Sequence, residues 1–486
     1  IVWPYILHMA VEIKDLTEDY ADFLRDESRR TGHAQRIVFP RSGNDVVQAL
    51  EIAAENSWPV TVQGGRTGIT GGSVPEGGLI LNLARMNSIG EIQGDRMAVQ
   101  PGATLGEIRA AIKNSALFFP SDLTETTASI GGMVANNASG ARSFRYGSVR
   151  NWVQALEVVL ASGETVRVER GVDQADGLAF KLGSIDGNLP DIGMPEVKNA
   201  AGYFVKPNMD LVDLFIGAEG TLGVVTEVTI QLLPEPEMMN GLAAFFPSEE
   251  EALVFVRSLR GSDTPSAAIE FFDFQSLELL RRMRSENPAF AELPELKPEF
   301  HTAIYFEFDS EVPEAVVEKA GEAIDCWFAE GEREIETLKT FRHAIPEAVN
   351  LLIGERKKSI PELTKLGTDM SVPDNELENV MRMYHEGLAQ AGLEYVIFGH
   401  IGNNHVHVNI LPRSMAEYEK GKALYLDWAR QVVAMGGSVS AEHGIGKIKT
   451  EFLKLMVGDT GIAEMRKLKA LFDSNGLLNP GNLFLL

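Results

Sequence analysis

An α+β architecture in more than one domain is what this 486-residue sequence predicts, and three observations predict it. Apolar residues recur at helical and at strand spacing in segments that interleave along the whole chain. Three segments of very high glycine density fall before residue 234. Beyond a Pro-Glu-Pro-Glu stretch at 234–237 the glycines thin out and longer strand–helix–strand units take over.

Taken in order, residues 42–55 carry Val46, Leu50, Ala53 and Ala54 at helical spacing, with Ser42 or Asn44 placed to cap. A short strand at 59–62 runs into the loop QGGRTGITGGSVPEGG. Leu105, Ile108 and Ile112 mark a second helix, and LEVVLASGETVRV reads as a hairpin turning at Ser162 and Gly163. Val224, Thr226, Val228, Ile230 and Leu232 alternate onto one face of a half-buried strand that 234–237 ends. A strand at 242–246, a helix capped by Ser248 and reaching about residue 260, and a strand at 267–273 form one unit. A strand at 301–309 and a helix over 312–330 begin a second, and the acidic, proline-rich ENPAFAELPELKPE between them reads as an exposed loop. Two such units suggest a ferredoxin-like antiparallel sheet backed by helices. Met465, Leu468, Leu471 and Phe472 place a last helix before NGLLNPGNLF.

Charge narrows the function classes. With 44 Lys+Arg against 69 Asp+Glu the net charge is −25, which argues against a nucleic-acid partner, since such binding neutralises phosphates with basic side chains. The single cysteine, Cys326, excludes an internal disulfide, a cysteine zinc cage and a ligated iron–sulfur cluster. No apolar run approaches the roughly 18 residues of a membrane-spanning helix. The opening IVWPYILHMAV lacks a basic stretch and a cleavage site, so it does not read as a secretory signal, and Met9 is a candidate natural start. The expectation is a cytoplasmic protein, with peripheral membrane association left open.

The glycine-dense segments are GGRTGITGG (64–72), SIGGMVANNASG (129–140) and IGAEGTLGVV (216–225). Singly, each reads as a tight turn; together they read as backbone arranged to approach an anion without a Cβ in the way. No GxGxxG opens a helix after a strand, so a nicotinamide site is unsupported. GIGKIK is not a phosphate loop of the Walker type, because Ala441 and Ile448 stand where a glycine and a Ser/Thr are needed.

The stretch EYVIFGHIGNNHVHVNILP concentrates the chemistry. His405, His407 and Asn409 alternate with Val406, Val408 and Ile410, which puts them on one face, and a turn at IGNN brings His400 toward that face. Farther along, SAEHGIGK sets Glu442 beside His443. Two or three imidazoles and a carboxylate suit Zn²⁺, Mn²⁺ or Fe²⁺. Four of the nine histidines fall between 400 and 443, which favours a metal or catalytic role over scattered surface residues.

QGGRTGITGGSVP, PSDLTETTASIGGMVANNASGARSFRYGSV, FIGAEGTLGVVTEV, FGHIGNNHVHVN and SAEHGIG together resemble the FAD-dependent D-2-hydroxyacid dehydrogenases of the vanillyl-alcohol-oxidase type. That group includes D-lactate dehydrogenases, FAD-linked glycolate oxidase subunits and D-2-hydroxyglutarate dehydrogenases. The resemblance runs from about Pro40 to the final NPGNLF. It implies a two-part FAD-binding domain over 1–236, a ferredoxin-like substrate domain carrying the metal hairpin over 237–440, and a segment 441–486 returning to the flavin. It implies that Gly64, Gly65, Arg66, Thr67, Gly68 and Ser73 cradle the FAD pyrophosphate. Pro120, Ser129, Gly131, Gly132, Asn137, Ser139 and Gly140 would form a second wall, Glu219, Gly223 and Val225 would pack the adenosine half, and Asn479 would reach the flavin edge. His400, His407 and Glu442 match the metal ligands, His443 the catalytic base, and Arg342 and Asn409 the groups that hold substrate.

Arg66 stands where covalently flavinylated relatives carry histidine, so FAD is expected to be noncovalent. Gly367 stands where hydroxyglutarate-specific relatives carry lysine, which favours a small monocarboxylate, D-lactate first, with glycolate or D-2-hydroxyglutarate as alternatives. Electrons would leave to an electron-transferring flavoprotein, an iron–sulfur subunit, a cytochrome or a quinone, and a homodimer is left open. Two other classes compete: a flavin-free metallohydrolase and a noncatalytic FAD-binding relay subunit.

Overall fold

The computed structural model describes residues 11–330 and 332–485. The expectation that Met9 is the start falls on residues outside that span. The first half holds two sheets. A four-stranded sheet runs in the order Ile13–Asp15, Arg36–Val38, Leu79–Asn82, Val60–Gln63, parallel except for its first pair. Helix Gly43–Glu55 packs Val46, Ala49, Leu50 and Ala53 onto it, and the Ser42 hydroxyl accepts from the Asp45 amide to cap it. A five-stranded antiparallel sheet follows, ordered Ile89–Gln93, Arg96–Val99, Val224–Gln231, Val153–Val159, Thr165–Glu169. Along Val224–Gln231 buried and half-buried residues alternate strictly, as period two requires. Helix Leu105–Ile112 starts at a reciprocal cap between Thr104 and Glu107.

The second half is built on a seven-stranded antiparallel sheet: Asp325–Glu330, Asn240–Phe246, Thr302–Phe308, Ala268–Phe272, Tyr395–Gly399, His407–Ile410, Leu366–Gly367. In chain order its first four strands stand 4-1-3-2, which is the ferredoxin-like arrangement, and three further strands extend it on one side. Two expectations are corrected here. The helix over 312–330 stops early: Glu314–Ala320 is helical, Gly321 ends it, and Asp325–Glu330 becomes the edge strand. Cys326, Trp327 and Phe328 pair there with Ala244, Ala243 and Leu242, a pairing that favours aromatic residues over helix continuation. The 286–299 loop is not simply exposed, because Phe290, Leu293 and Leu296 are buried, and Arg281 and Arg284 donate to its carbonyls.

The two halves meet along residues 139–146. Arg142 Nε donates to Glu307 Oε2 at 2.6 Å, Tyr146 Oη to Asp309 at 2.6 Å, and Ser143 Oγ to Asn403 at 3.2 Å. The tail then comes back to the first sheet. Val60 donates to the Leu477 carbonyl at 2.8 Å, and the Asn479 side chain accepts from the Val62 amide at 2.7 Å and donates to the Glu219 carbonyl at 2.6 Å.

Candidate active site

A cavity of about 420 Å³ lies where these segments converge. Its walls come from the glycine-dense loops: 64–73 on one side, 123–141 on another, and 215–225 below, with Asn479 and Asn482 from the tail. The first two loops pack so closely that side chains are excluded. A Cβ on Gly64 would stand 2.1 Å from Ser129 Oγ, and one on Gly65 would stand 2.8 Å from the Thr127 carbonyl. Ser129 Oγ instead accepts from the Gly65 amide at 3.0 Å and the Gly132 amide at 3.3 Å. Gly68 faces open space. Backbone at the rim and Leu83, Phe215, Leu222 and Val225 on the floor suit a flat aromatic ring joined to a phosphate chain, so the residues present fit FAD.

Most of the expected flavin residues line this cavity: Gly64, Gly65, Arg66, Thr67, Gly68, Ser73, Ser129, Gly131, Gly132, Ser139, Gly140, Glu219, Gly223, Val225 and Asn479. Two do not. Pro120 is buried outside the lining, and Asn137 turns its amide to the Asn199 carbonyl and its oxygen to the Arg150 amide, facing a second cleft. Arg66 takes a positive φ of 60°, and its guanidinium lies 4.4 Å from the centre of the Phe23 ring and donates to the Asp22 carbonyl. Glu219 is buried, accepts from the Ile445 and Gly446 amides at 2.6 and 2.8 Å, and has its carboxyl pushed up to about 7 by burial.

At one end of the cavity stand His400, Glu442 and His443. His400 sits at the end of strand Tyr395–Gly399, and His407 opens the returning strand, so the hairpin brings their rings to 5.5 Å. His400 Nδ1 is 2.7 Å from Glu270 Oε1, and His407 Nδ1 is 2.8 Å from the Thr368 carbonyl. Each outer oxygen claims a ring N–H, which turns both Nε2 atoms inward, and each lies 3.3 Å from Glu442 Oε1. The other carboxylate oxygen, Oε2, is held by Lys198 Nζ at 2.8 Å and Ser139 Oγ at 3.3 Å. Burial alone would raise the Glu442 carboxyl, but Lys198 and the histidines hold it well below the usual carboxylate range. Burial works against a charge on His400 as well, yet Glu270 and Glu442 push its pKa up to about 9.

His443 is the most open of the four rings, with Nδ1 3.3 Å from Asp369 Oδ2 and Nε2 3.5 Å from Glu442 Oε1. Asp369 is fully buried and anchors the Glu442-His443 segment, accepting from both backbone amides at 3.2 and 3.1 Å and from Lys449 Nζ at 2.7 Å. Arg342 and Asn409 lie outside the cavity lining. Arg342, on helix Glu332–Lys357, contacts His343 at 2.7 Å and has a buried Nε without a partner. Asn409 is buried on the His407 strand, opposite Gly367. Lys198, Glu270, Thr368 and Asp369 do not stand out in the sequence as site residues. Asp369 lies only two residues beyond Gly367, the one local signal near it.

Comparison with known proteins then decides the family. Residues 235–483 match the model described as FAD linked oxidases, C-terminal domain, and residues 34–169 match the FAD binding domain. The chain belongs to the FAD-linked oxidase family. It is 30% identical to glycolate oxidase subunit GlcD of Bacillus subtilis, over 92% of this chain and 88% of that one. It is 31% identical to D-lactate dehydrogenase of Archaeoglobus fulgidus (92% and 90% covered) and 29% identical to D-2-hydroxyglutarate dehydrogenase of Stutzerimonas stutzeri (92% and 90%). Among solved structures, alkyldihydroxyacetonephosphate synthase shares the fold, with a TM-score of 0.66, 16% identity, and 96% of this chain and 82% of that one covered. The family member is thus an FAD-linked oxidoreductase of the D-lactate, glycolate and D-2-hydroxyglutarate dehydrogenase type. Among the described residues, no helix is long and apolar enough to cross a membrane.

Proposed function

We propose that this oxidoreductase converts a small D-2-hydroxyacid, D-lactate first, to the 2-oxoacid, using FAD held noncovalently and a divalent cation held by His400, His407 and Glu442. The observation that carries the reading is the convergence of two Nε2 atoms on one Glu442 oxygen, each at 3.3 Å, at the end of the glycine-walled cavity. Without a metal a proton on His400 fills one of these gaps, in keeping with its raised pKa of about 9, and a divalent cation can take its place because the outer partners leave both Nε2 atoms no other direction. When bound, FAD supplies the acceptor for the Cα hydrogen and its electron pair, and the cation lowers the pKa of an adjacent oxygen, for water from 15.7 to about 7.

His443 takes the hydroxyl proton on Nε2, while Asp369 beside Nδ1 fixes the tautomer. Arg342 holds the substrate carboxylate, for which its unpartnered buried Nε is a ready donor, and Asn409 adds a second polar contact. Gly367 supports a short substrate. It offers no charge to a distal carboxylate, and a Cβ there would press to 3.2 Å from Asn409 Oδ1.

One feature favours D-2-hydroxyglutarate as a second reading. Lys365, two residues before Gly367, is half-buried and forms no ion pair among the described residues, and burial with Arg29 nearby pushes its pKa down to about 8. Adding D-lactate, L-lactate, glycolate, D-2-hydroxyglutarate and malate singly to the anaerobic holoprotein decides between them. Bleaching of the flavin by D-lactate fastest and at lowest concentration supports the main reading, and preference for D-2-hydroxyglutarate replaces it with the second. No bleaching by any of them rules out both.

A further inference from the structure

His405 has no task in the reading above, although it is the most deeply buried histidine of the hairpin. Its exposure is 0%, and neither ring nitrogen has an aligned hydrogen-bond partner. Nε2 does stand against Asp369, but Nδ1 has no such close partner, and a buried nitrogen left without one is a costly way to fill a core. A neutral imidazole in this place keeps one nitrogen as a bare lone pair.

The surroundings of that lone pair repeat those of the two neighbouring histidines. His400 and His407 each set one nitrogen against an outer oxygen and the other against Glu442. His405 does the same with its nitrogens exchanged: Nε2 lies 3.1 Å from Asp369 Oδ1, and Nδ1 lies 3.9 Å from Glu442 Oε2. The His405 ring centre is 4.5 Å from that of His407 and 5.3 Å from that of His400. One donor atom from each of His400, His405, His407 and Glu442 can be chosen so that all four lie within 4.8 Å of one another. Donors about 2.1 Å from a shared ion stand roughly 3–4 Å apart, which is the spacing seen against Glu442.

We infer that His405 is a further ligand of the cation site, through Nδ1, so that three imidazoles and one carboxylate hold the ion. The inference rests on the metal reading proposed above. His443 stays outside this set, grouping only with Asp369 and Glu442, and remains free to take a proton. Four protein donors leave room for substrate oxygens only on an ion that accepts five or six ligands. The site therefore favours Mn²⁺, Fe²⁺ or Co²⁺ over Zn²⁺, whose protein sites are mostly four-coordinate.

The test loads the holoprotein with Mn²⁺ alone and counts coordinated imidazole nitrogens by electron spin-echo modulation. Three nitrogens in the unaltered protein support the inference, as does a fall to two in His405→Asn with Mn²⁺ affinity weaker by roughly tenfold or more. Two nitrogens in the unaltered protein overturn it while leaving the His400, His407, Glu442 site standing, and that count needs no variant to fold. Failure to retain Mn²⁺ or any other divalent ion overturns the metal reading, and His405 ligation with it.

Discussion

Glu219 makes the stability of the protein fall with rising pH, and Glu219→Gln removes that dependence. The carboxyl is buried beside the flavin cavity, and burial outweighs its two backbone donors, leaving its pKa at about 7 against 4.5 for the free side chain. A folded-state pKa above the unfolded value means that the folded chain binds the proton more tightly. The contribution is therefore fully present below about pH 4.5 and is lost as pH rises through 7. The difference of 7 − 4.5 = 2.5 units at 1.36 kcal/mol each amounts to about 3 kcal/mol between pH 4.5 and 8. Gln keeps an oxygen for the Ile445 or Gly446 amide and turns an N–H to the other, so about 1 kcal/mol is lost at low pH. Thermal denaturation of the FAD-loaded protein, followed from about pH 4 to about pH 8.5, gives curves that cross: the variant starts lower, overtakes the parent near pH 5 once about 1 kcal/mol of the Glu219 contribution is gone, and leads by about 2 kcal/mol above pH 7. Parallel curves across that range would show that Glu219 ionises as freely in the fold as outside it.

Three further outcomes follow from named contacts. Glu270→Ala frees the His400 ring that Glu270 orients, so metal content measured by mass spectrometry under chelator competition should reflect an affinity roughly 10–100-fold weaker, with flavin content unchanged. Gly64→Ala drives a methyl into Ser129 Oγ and displaces the cap on the Gly65 amide, so the purified variant should carry less FAD per chain by absorbance, while its metal site is retained. Lys198→Met leaves the buried Glu442 carboxylate without its ammonium partner, and thermal stability should fall by about 3–5 kcal/mol in metal-free protein and recover in part on adding Mn²⁺.

Much of this site was legible in the sequence because its parts are local. The glycine clusters mark backbone left clear of side chains, and all three loops that carry them line one cavity. Period two in the hairpin brings His400 and His407 together, since a strand and its return fix their rings within one register. What the sequence concealed is long-range. Lys198 meets Glu442 across 244 residues and Glu270 meets His400 across 130, and neither carries a local pattern. Period two puts His405 on the polar face with His407, yet the strand begins only at His407, and the turn before it carries His405 into the interior. The 312–330 segment departs from a single helix for the opposite reason. Its amphipathic start was real, but the aromatic pair after Gly321 satisfies a sheet edge that only the folded chain supplies.

The central claim is that flavin and a divalent cation serve one reaction in one cavity. Its most direct test is the rate at which D-lactate bleaches the flavin of anaerobic protein, before and after removal of the metal with a chelator and after its return. The account predicts that the stripped protein keeps its FAD, that bleaching drops by at least about a hundredfold, and that added Mn²⁺ restores it. Undiminished bleaching by protein verified to be free of metal would contradict it.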